Sequence, residues 1–183
     1  MKYYLITDPK YYSSNLEIFE STLHKAIKLY DPDILCFRDK SSFNIEELIS
    51  SFVMVCKENK INNIFINTYI HLAKKYNAKG VHLTSTQFDE IKVAKELGLE
   101  VIISCHNDED IENAINQKAD AITYSPIFET PNKGEPKGLE ELERVIKKYD
   151  INIIALGGIV SGAQINELST INSYGFASIR YYV

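Results

Sequence analysis

The chain alternates between short apolar runs and longer stretches in which apolar and polar residues are mixed. Eight of the runs are rich in Ile, Leu, Val, Phe and Tyr and have the length of β-strands. Near-continuous apolar runs are typical of parallel strands that are covered on both faces. The pattern therefore predicts eight buried strands, at 3–7, 34–38, 64–67, 80–83, 101–105, 121–124, 152–156 and 176–180.

Between the predicted strands, the apolar residues recur at steps of three and four, which is the spacing of an amphipathic helix. The spacing is clearest in 15–30, 44–59 and 138–149. Asn44 and Asn107 stand at the start of helical stretches, and a short amide side chain there can accept a hydrogen bond from the first turn. We therefore expect both asparagines to act as N-caps.

Strict alternation of strands and helices predicts a parallel sheet, either open or closed. An open doubly wound sheet usually has a glycine-rich first turn, whereas the first turn here is Thr7-Asp8-Pro9-Lys10. Eight strands in 183 residues instead predict a compact α/β fold, a TIM (β/α)8 barrel that forms one domain over 1–183. The sequence stops soon after the last predicted strand, so we expect the barrel to lack its last helix.

Composition narrows the classes of function. The chain is 45% apolar and carries a net charge of -5, and it has no dense basic block. We therefore expect neither a nucleic-acid partner nor an anionic membrane surface as a partner. No apolar run reaches the length of about 18 residues that spans a bilayer, so the expected location is the cytoplasm. The three cysteines and four histidines lack metal-ligand spacing, and no metal site is predicted.

Polar residues and glycines follow most of the predicted strands, and a TIM barrel carries its chemistry at these carboxyl ends. Arg38 and Lys40 share one face of an extended segment, where two cations suit phosphate or pyrophosphate oxygens. A surface strand end paired with acidic residues is the alternative. Gly157 and Gly158 follow the seventh strand, where backbone amides of such barrels bind phosphate, although a simple tight turn gives the same pattern.

Ser104 and His106 end the fifth predicted strand. An imidazole exchanges protons near neutral pH, so His106 is a candidate acid or base, or else a residue that only positions a substrate. The longest connection, 125–137, is interpreted as a lid in which Lys133 reaches a substrate anion. An ordinary solvated loop is the alternative.

Six stretches in this order resemble the thiamine phosphate synthase and TenI superfamily: YLITD at 4–8, RDK at 38–40, GVHL at 80–83, SCH at 104–106, PIFETPNK at 126–133 and ALGGI at 155–159. The resemblance covers the chain from the first predicted strand to the last and implies a TIM barrel. It also implies one of two activities. The synthase joins a pyrimidine pyrophosphate to a thiazole phosphate with Mg²⁺, whereas the TenI branch tautomerises a carboxythiazole phosphate without metal.

The chain departs from the synthase pattern at four positions. One is Arg180 on the eighth strand, where the synthase usually has a small residue, and it adds a candidate phosphate ligand. Cys36 replaces a glutamine on the second strand, although Arg38 and Lys40 match. The two family aspartates that hold Mg²⁺ are replaced by Thr68 and Gln87, which carry no charge. Since Mg²⁺ normally takes at least one protein carboxylate, these replacements weigh against the synthase.

The sequence therefore favours a TenI-like thiazole tautomerase with His106 as its catalytic residue and no cofactor; Mg²⁺ would be needed only for the synthase alternative. The expected partner is a phosphorylated thiazole or pyrimidine, and a homo-oligomer is left open. A thiamine phosphate synthase and a non-catalytic binder of thiamine precursors are the alternatives. The expected phosphate-binding or substrate-binding residues are Arg38, Lys40, Asn67, Ser104, Thr130, Lys133, Gly157, Gly158 and Arg180.

Overall fold

The computed structural model describes residues 1–183, and its eight strands close into a parallel barrel. Each strand pairs with the next one along the chain, and β8 pairs with β1, with Lys2 opposite Gly175. The predicted TIM barrel is therefore confirmed. The strands are β1 (Lys2–Ile6), β2 (Ile34–Phe37), β3 (Ile64–Asn67), β4 (Gly80–Leu83), β5 (Glu100–Cys105), β6 (Ala121–Tyr124), β7 (Asn152–Leu156) and β8 (Gly175–Ser178).

Every connection between consecutive strands contains an α-helix, as the hydrophobic spacing predicts. The helices are α1 (Pro9–Tyr12), α2 (Leu16–Tyr30), α3 (Ile45–Glu58), α4 (Ile70–Lys75), α5 (Ile91–Glu96), α6 (Asp108–Asn116), α7 (Gly138–Lys148) and α8 (Gly162–Thr170). A 3₁₀ turn, Phe88–Glu90, precedes α5, and another, Arg180–Tyr182, follows β8. None of the helices combines the length and the apolar character that crossing a bilayer requires.

Three predicted strands extend too far at their carboxyl ends. Thr7 and Arg38 lie just beyond β1 and β2, where the Thr7 hydroxyl oxygen accepts a hydrogen bond from the Arg38 backbone N–H at 2.8 Å. A hydrogen bond to the Thr7 side chain thus replaces the backbone-to-backbone hydrogen bond that a longer strand would make here. Arg180 lies outside β8 because the chain has already turned into 3₁₀ conformation.

Both asparagines stand at the predicted N-cap positions, but only one of them makes a capping hydrogen bond. Asn107 caps α6, since its side-chain oxygen accepts a hydrogen bond from the backbone N–H of Asp110 at 2.8 Å. Asn44 precedes α3 but makes no capping hydrogen bond, and its side-chain amide donates to the carbonyl oxygen of Ser14 at 3.1 Å. The Asn44 side chain therefore binds the loop that contains Ser14 and not its own helix. The order of residues along the chain does not reveal this contact.

The hydrophobic core has two layers. The larger layer lies between the strands and the surrounding helices and comprises 41 buried residues, whereas only nine fill the barrel interior. Side chains alternate between the two layers along each strand, so that Tyr4 and Cys36 point inward while Leu5 and Leu35 point outward. Towards the carboxyl ends of β3 to β6, the inward positions become polar, with Asn67, His82, Ser104 and Thr123. Asn67, His82 and Ser104 form the floor of a polar site, and Thr123 is buried beside them.

Candidate functional site

A cavity of about 730 Å³ opens at the carboxyl end of the barrel. The loops that follow the strands form its wall, and the polar layer inside the barrel forms its floor. All ten residues expected from the sequence to form the site line this one cavity: Arg38, Lys40, Asn67, Ser104, His106, Thr130, Lys133, Gly157, Gly158 and Arg180. They come from six different strand ends, and the closed barrel brings them together.

The cavity is cationic although the chain as a whole is acidic. Five cationic side chains line it, and Asp8 is its single carboxylate. Lys40, Lys133 and Arg180 form no ion pair within the chain. Such a concentration of positive charge attracts anionic ligands and raises their local concentration.

Arg38 and Asp8 pair across the mouth of the barrel. The distance between Arg38 Nη1 and Asp8 Oδ2 is 2.6 Å, and about a quarter of each side chain is exposed, 26% and 24%. The positive charge of Arg38 lowers the pKa of Lys40, and partial burial and Lys133 act in the same direction. An anion that binds between these side chains would relieve their mutual repulsion.

The turns after β7 and β8 expose three backbone N–H groups that have no acceptor in the chain. They belong to Gly158, Ile159 and Ile179, which line the cavity together with Arg180. Backbone N–H groups are rarely left unpaired in a protein interior. Convergent free amides form an anion cradle, and the loops after the seventh and eighth strands are the usual phosphate site of a TIM barrel.

The loop 125–137 is fastened to the turn after β7. The backbone N–H of Ile127 donates to Leu156 O at 2.9 Å, and that of Phe128 donates to Gly157 O at 3.0 Å. Thr130 turns its hydroxyl back to Phe128 O at 2.9 Å. The part of the loop next to the cradle is therefore held in place, and Lys133 extends from it over the cavity.

Three polar contacts hold His106. Its backbone N–H donates to Asp110 Oδ2 at 2.7 Å, and its ring Nδ1 lies 3.0 Å from the carbonyl oxygen of Ser125 and 3.4 Å from the hydroxyl oxygen of the same residue. Because a carbonyl oxygen only accepts, Nδ1 carries the proton in the neutral ring and Nε2 keeps its lone pair. Nε2 makes no hydrogen bond within the chain, so the cavity wall carries an imidazole base that is free to accept a proton.

The residues around the mouth do not fit an Mg²⁺ ion. Mg²⁺ requires hard oxygen donors and normally at least one carboxylate, but the one carboxylate of the cavity is already paired with Arg38. An adjoining pocket shares Lys40 and Asn67 with the cavity and is also lined by Asp39, Thr68 and Gln87. The carboxylate of Asp39 accepts four hydrogen bonds from Ser41 and Ser42. Burial would raise the pKa of Asp39, but these hydrogen bonds outweigh it and lower the pKa.

The two neutral residues of the adjoining pocket are also engaged. The hydroxyl of Thr68 donates to Asn67 Oδ1 at 3.3 Å, and Gln87 Oε1 accepts from both the backbone N–H and the hydroxyl of Thr84, at 3.0 and 2.9 Å. The chain contains no group of three or more His, Cys, Asp or Glu side chains that could hold a metal ion.

Sequence reasoning missed several residues of the cavity. Lys10 and Tyr11 enter it from the short helix α1, which the hydrophobic pattern is too brief to indicate. The Asp8-Pro9 pair was the available signal, since Asp is a favoured N-cap and Pro a favoured first helical residue. His82 also lines the floor of the cavity, and the residue is 4% exposed.

The closed parallel barrel, with its candidate site at the carboxyl ends of the strands, defines the class: this is a TIM-barrel protein. A family model described as "Thiamine monophosphate synthase" matches residues 3–181. The chain belongs to this family, and the resemblance stated from its motifs is confirmed.

Curated relatives bear the name of the synthase. A "Thiamine-phosphate synthase" of Prochlorococcus marinus (strain AS9601) is 32% identical over 181 residues, which are 96% of this chain and 48% of the relative. The chain thus spans about half the length of that protein. A relative from Aquifex aeolicus (strain VF5), provisionally named thiamine-phosphate synthase 2, is 30% identical over 185 residues, 98% of this chain and 96% of its own length.

A solved structure gives the same fold. Thiamine phosphate pyrophosphorylase from Pyrococcus furiosus superposes with a TM-score of 0.81 and 23% identity, over 97% of this chain and 85% of that chain. At this identity, the likeness supports the fold alone. The names of the relatives favour the synthase, which the sequence predicts only as an alternative, over the TenI-like tautomerase.

Proposed function

We propose that this chain is a thiazole tautomerase of thiamine biosynthesis that acts on a carboxythiazole ethyl phosphate at the mouth of the barrel. One observation carries the proposal. His106 presents a free Nε2 lone pair in a cavity whose single carboxylate is paired with Arg38. The site therefore has a base that can move a proton, and it lacks the carboxylates that an Mg²⁺–pyrophosphate leaving group requires.

In the proposed complex, the phosphate of the substrate binds the free amides of Gly158, Ile159 and Ile179. The cations Lys40 and Lys133 lie on the same cavity and suit the substrate carboxylate. Two separate anion sites would fix both ends of the thiazole, and a bound substrate in one orientation is what a proton transfer between two of its carbons needs.

His106 would perform both proton steps. Nε2 removes a proton from a ring carbon, and the electron pair of that C–H bond becomes part of the aromatic ring. The double bonds shift within the ring, and the electron pair of the exocyclic carbon–carbon double bond forms a new C–H bond with a proton from Nε2. The Ser125 carbonyl accepts from Nδ1–H at 3.0 Å throughout and stabilises the transient imidazolium.

The test follows the proton. The protein is given the non-aromatic carboxythiazole phosphate in D₂O, and NMR follows both aromatisation and deuterium at the exocyclic carbon. We expect turnover by the native protein and a loss of at least a hundredfold with His106→Asn, which is the usual scale of an acid–base residue. His71→Asn is the matched control, since His71 is exposed on α4 and does not line the cavity. Unimpaired turnover by His106→Asn would contradict the mechanism.

A thiamine phosphate synthase is the second candidate, because the relatives carry that name and because Arg38 and Lys40 lie together at the mouth. The same preparation is therefore mixed with the pyrimidine pyrophosphate, the thiazole phosphate and Mg²⁺. Formation of thiamine phosphate at a rate typical of enzymes would replace the tautomerase by the synthase. Binding of the thiazole phosphate without turnover in either assay would support a non-catalytic binder.

A further inference from the structure

Tyr4 and His82 form a hydrogen bond across the interior of the barrel. Tyr4 belongs to β1 and His82 to β4, and the phenol oxygen lies 2.9 Å from His82 Nδ1. The two residues are 0% and 4% exposed. Neither has a part in the proton transfer proposed for His106, so their pairing needs another explanation.

The hydrogen bonds continue from His82 to the cavity. His82 Nε2 lies 3.2 Å from Ser104 Oγ, and the hydroxyl of Thr123 lies 3.4 Å from both of these atoms. Ser104 is half-buried and lines the cavity. A connected series of polar groups thus leads from the sealed interior of the barrel to the ligand-facing floor.

The direction of these hydrogen bonds follows from Tyr4. Its phenol proton needs an acceptor, because an unpaired donor in the protein interior is strongly unfavourable. The thiol of Cys36 is nearby, but it donates to Phe37 O and its sulfur is only a weak acceptor. His82 Nδ1 is therefore the acceptor. Burial, and then the charge of Arg38, lower the pKa of His82 to about 4, so its ring is neutral near pH 7.

A neutral imidazole carries one proton, so a ring that accepts at Nδ1 must donate at Nε2. Ser104 Oγ then accepts from His82 Nε2, and it also accepts from the hydroxyl of Thr123. Both lone pairs of Ser104 are occupied, and no other group in the chain accepts its proton. We propose that Tyr4 and His82 are positioning residues that fix the Ser104 hydroxyl as a hydrogen-bond donor directed into the cavity.

The Ser104 hydroxyl would donate to a hydrogen-bond acceptor of the ligand, such as a ring nitrogen or a carboxylate oxygen. The inference deepens the proposed site, yet the arrangement of protons does not depend on which reaction the site performs.

The first test needs no substrate. Side-chain ¹⁵N NMR distinguishes the two neutral tautomers of histidine, and His24→Asn, His71→Asn and His106→Asn variants assign the His82 signals by elimination. We expect His82 as the Nε2–H tautomer near pH 7. In Tyr4→Phe this single tautomer should be lost, whereas Tyr12→Phe should leave it unchanged, because the Tyr12 hydroxyl is buried but makes no hydrogen bond. An Nδ1–H tautomer in the native protein would overturn the proposal.

The second test asks whether Tyr4 acts through Ser104. Calorimetry measures the binding of thiazole ethyl phosphate to Tyr4→Phe, Ser104→Ala and the double variant. Loss of one hydrogen bond should weaken binding by about fivefold to tenfold in each single variant. The double variant should bind no more weakly than Ser104→Ala alone. Multiplied effects in the double variant would mean that Tyr4 acts by another route and would overturn the proposal.

The two proposals fail in different ways. If thiazole ethyl phosphate binds neither the native protein nor the variants, the proposed function is wrong. The tautomer of His82 in the ligand-free protein still decides whether Ser104 is directed into the cavity. The same measurement on native protein also decides the question if Tyr4→Phe does not fold.

Discussion

Gly158 lies directly against the backbone of Glu129, so closely that a β-carbon on Gly158 would come within 2.5 Å of the Glu129 carbonyl oxygen. Gly158 also has a φ of +71°, a conformation that side chains other than glycine rarely adopt. The turn after β7 and the loop 125–137 therefore form one packed unit. That unit supplies both the anion cradle and the lysine above it.

This contact predicts that Gly158→Ala damages both stability and anion binding. The β-carbon must push the Glu129 carbonyl away and also adopt a strained φ, at a cost of about 1–3 kcal/mol. Urea unfolding measures the stability, and calorimetry with inorganic phosphate should show at least tenfold weaker binding. Gly162→Ala is the control, because nothing lies within 4 Å of its added β-carbon. Unchanged phosphate binding by Gly158→Ala would show that the free amides of this turn do not bind phosphate.

A second prediction concerns the ion pair at the mouth. Asp8→Asn removes the one carboxylate of the cavity and frees Arg38, while asparagine still caps α1. We expect phosphate to bind several-fold more tightly at low salt, with a smaller gain at high salt because ions screen the attraction. Asp150→Asn, an exposed change beyond α7, is the control. Weaker phosphate binding by Asp8→Asn would show that the carboxylate itself helps to build the site.

A third prediction concerns backbone strain beside the cavity. Thr68 has a φ of +69°, which is rare for a β-branched residue, whereas asparagine tolerates this conformation well. Thr68→Asn should therefore raise the free energy of unfolding by about 0.5–1 kcal/mol. Denaturant unfolding measures the change, with Thr170→Asn in α8 as the control. A loss of stability would mean that the hydrogen bond from Thr68 to Asn67 contributes more than the strain costs.

The buried His82 predicts a dependence of stability on pH. Its pKa is about 4 in the folded protein, mainly because burial disfavours the charged ring, and about 6.5 in an unfolded chain. The unfolded state therefore binds the proton first as the pH falls. Stability from this residue is complete above about pH 6.5 and decreases down to about pH 4, with a loss of about 2 kcal/mol between pH 7 and pH 5.

Urea unfolding at pH 7 and pH 5 checks this dependence. The comparison is with His82→Gln, which has no ring to titrate. Its absolute stability will differ, so the quantity to compare is the change in the free energy of unfolding between the two pH values. That change should be smaller by about 2 kcal/mol in His82→Gln than in the native protein. Equal changes in the two proteins would show that His82 is solvated.

The fold was largely readable from local pattern. Residues that are buried on both faces of a strand must be apolar, and a helix face must repeat every three to four residues, so the order of the eight strands and of the longer helices between them follows from periodicity. Strand ends and caps were less accurate. Asn44 shows the reason, because its side-chain amide donates to Ser14, 30 positions away in the chain, rather than to its own helix.

The sequence by itself determined the barrel, the family and the ten candidate residues, since these depend on residue types and their order along the chain. Only the tertiary structure determined which polar groups in and below the site form ion pairs or hydrogen bonds and which stay free. It paired Arg38 with Asp8, left Nε2 of His106 free, and joined Tyr4 to His82 across the barrel. A proton or an ion pair depends on distances of about 3 Å between groups that are far apart in the chain, and such distances exist only once the strands have closed.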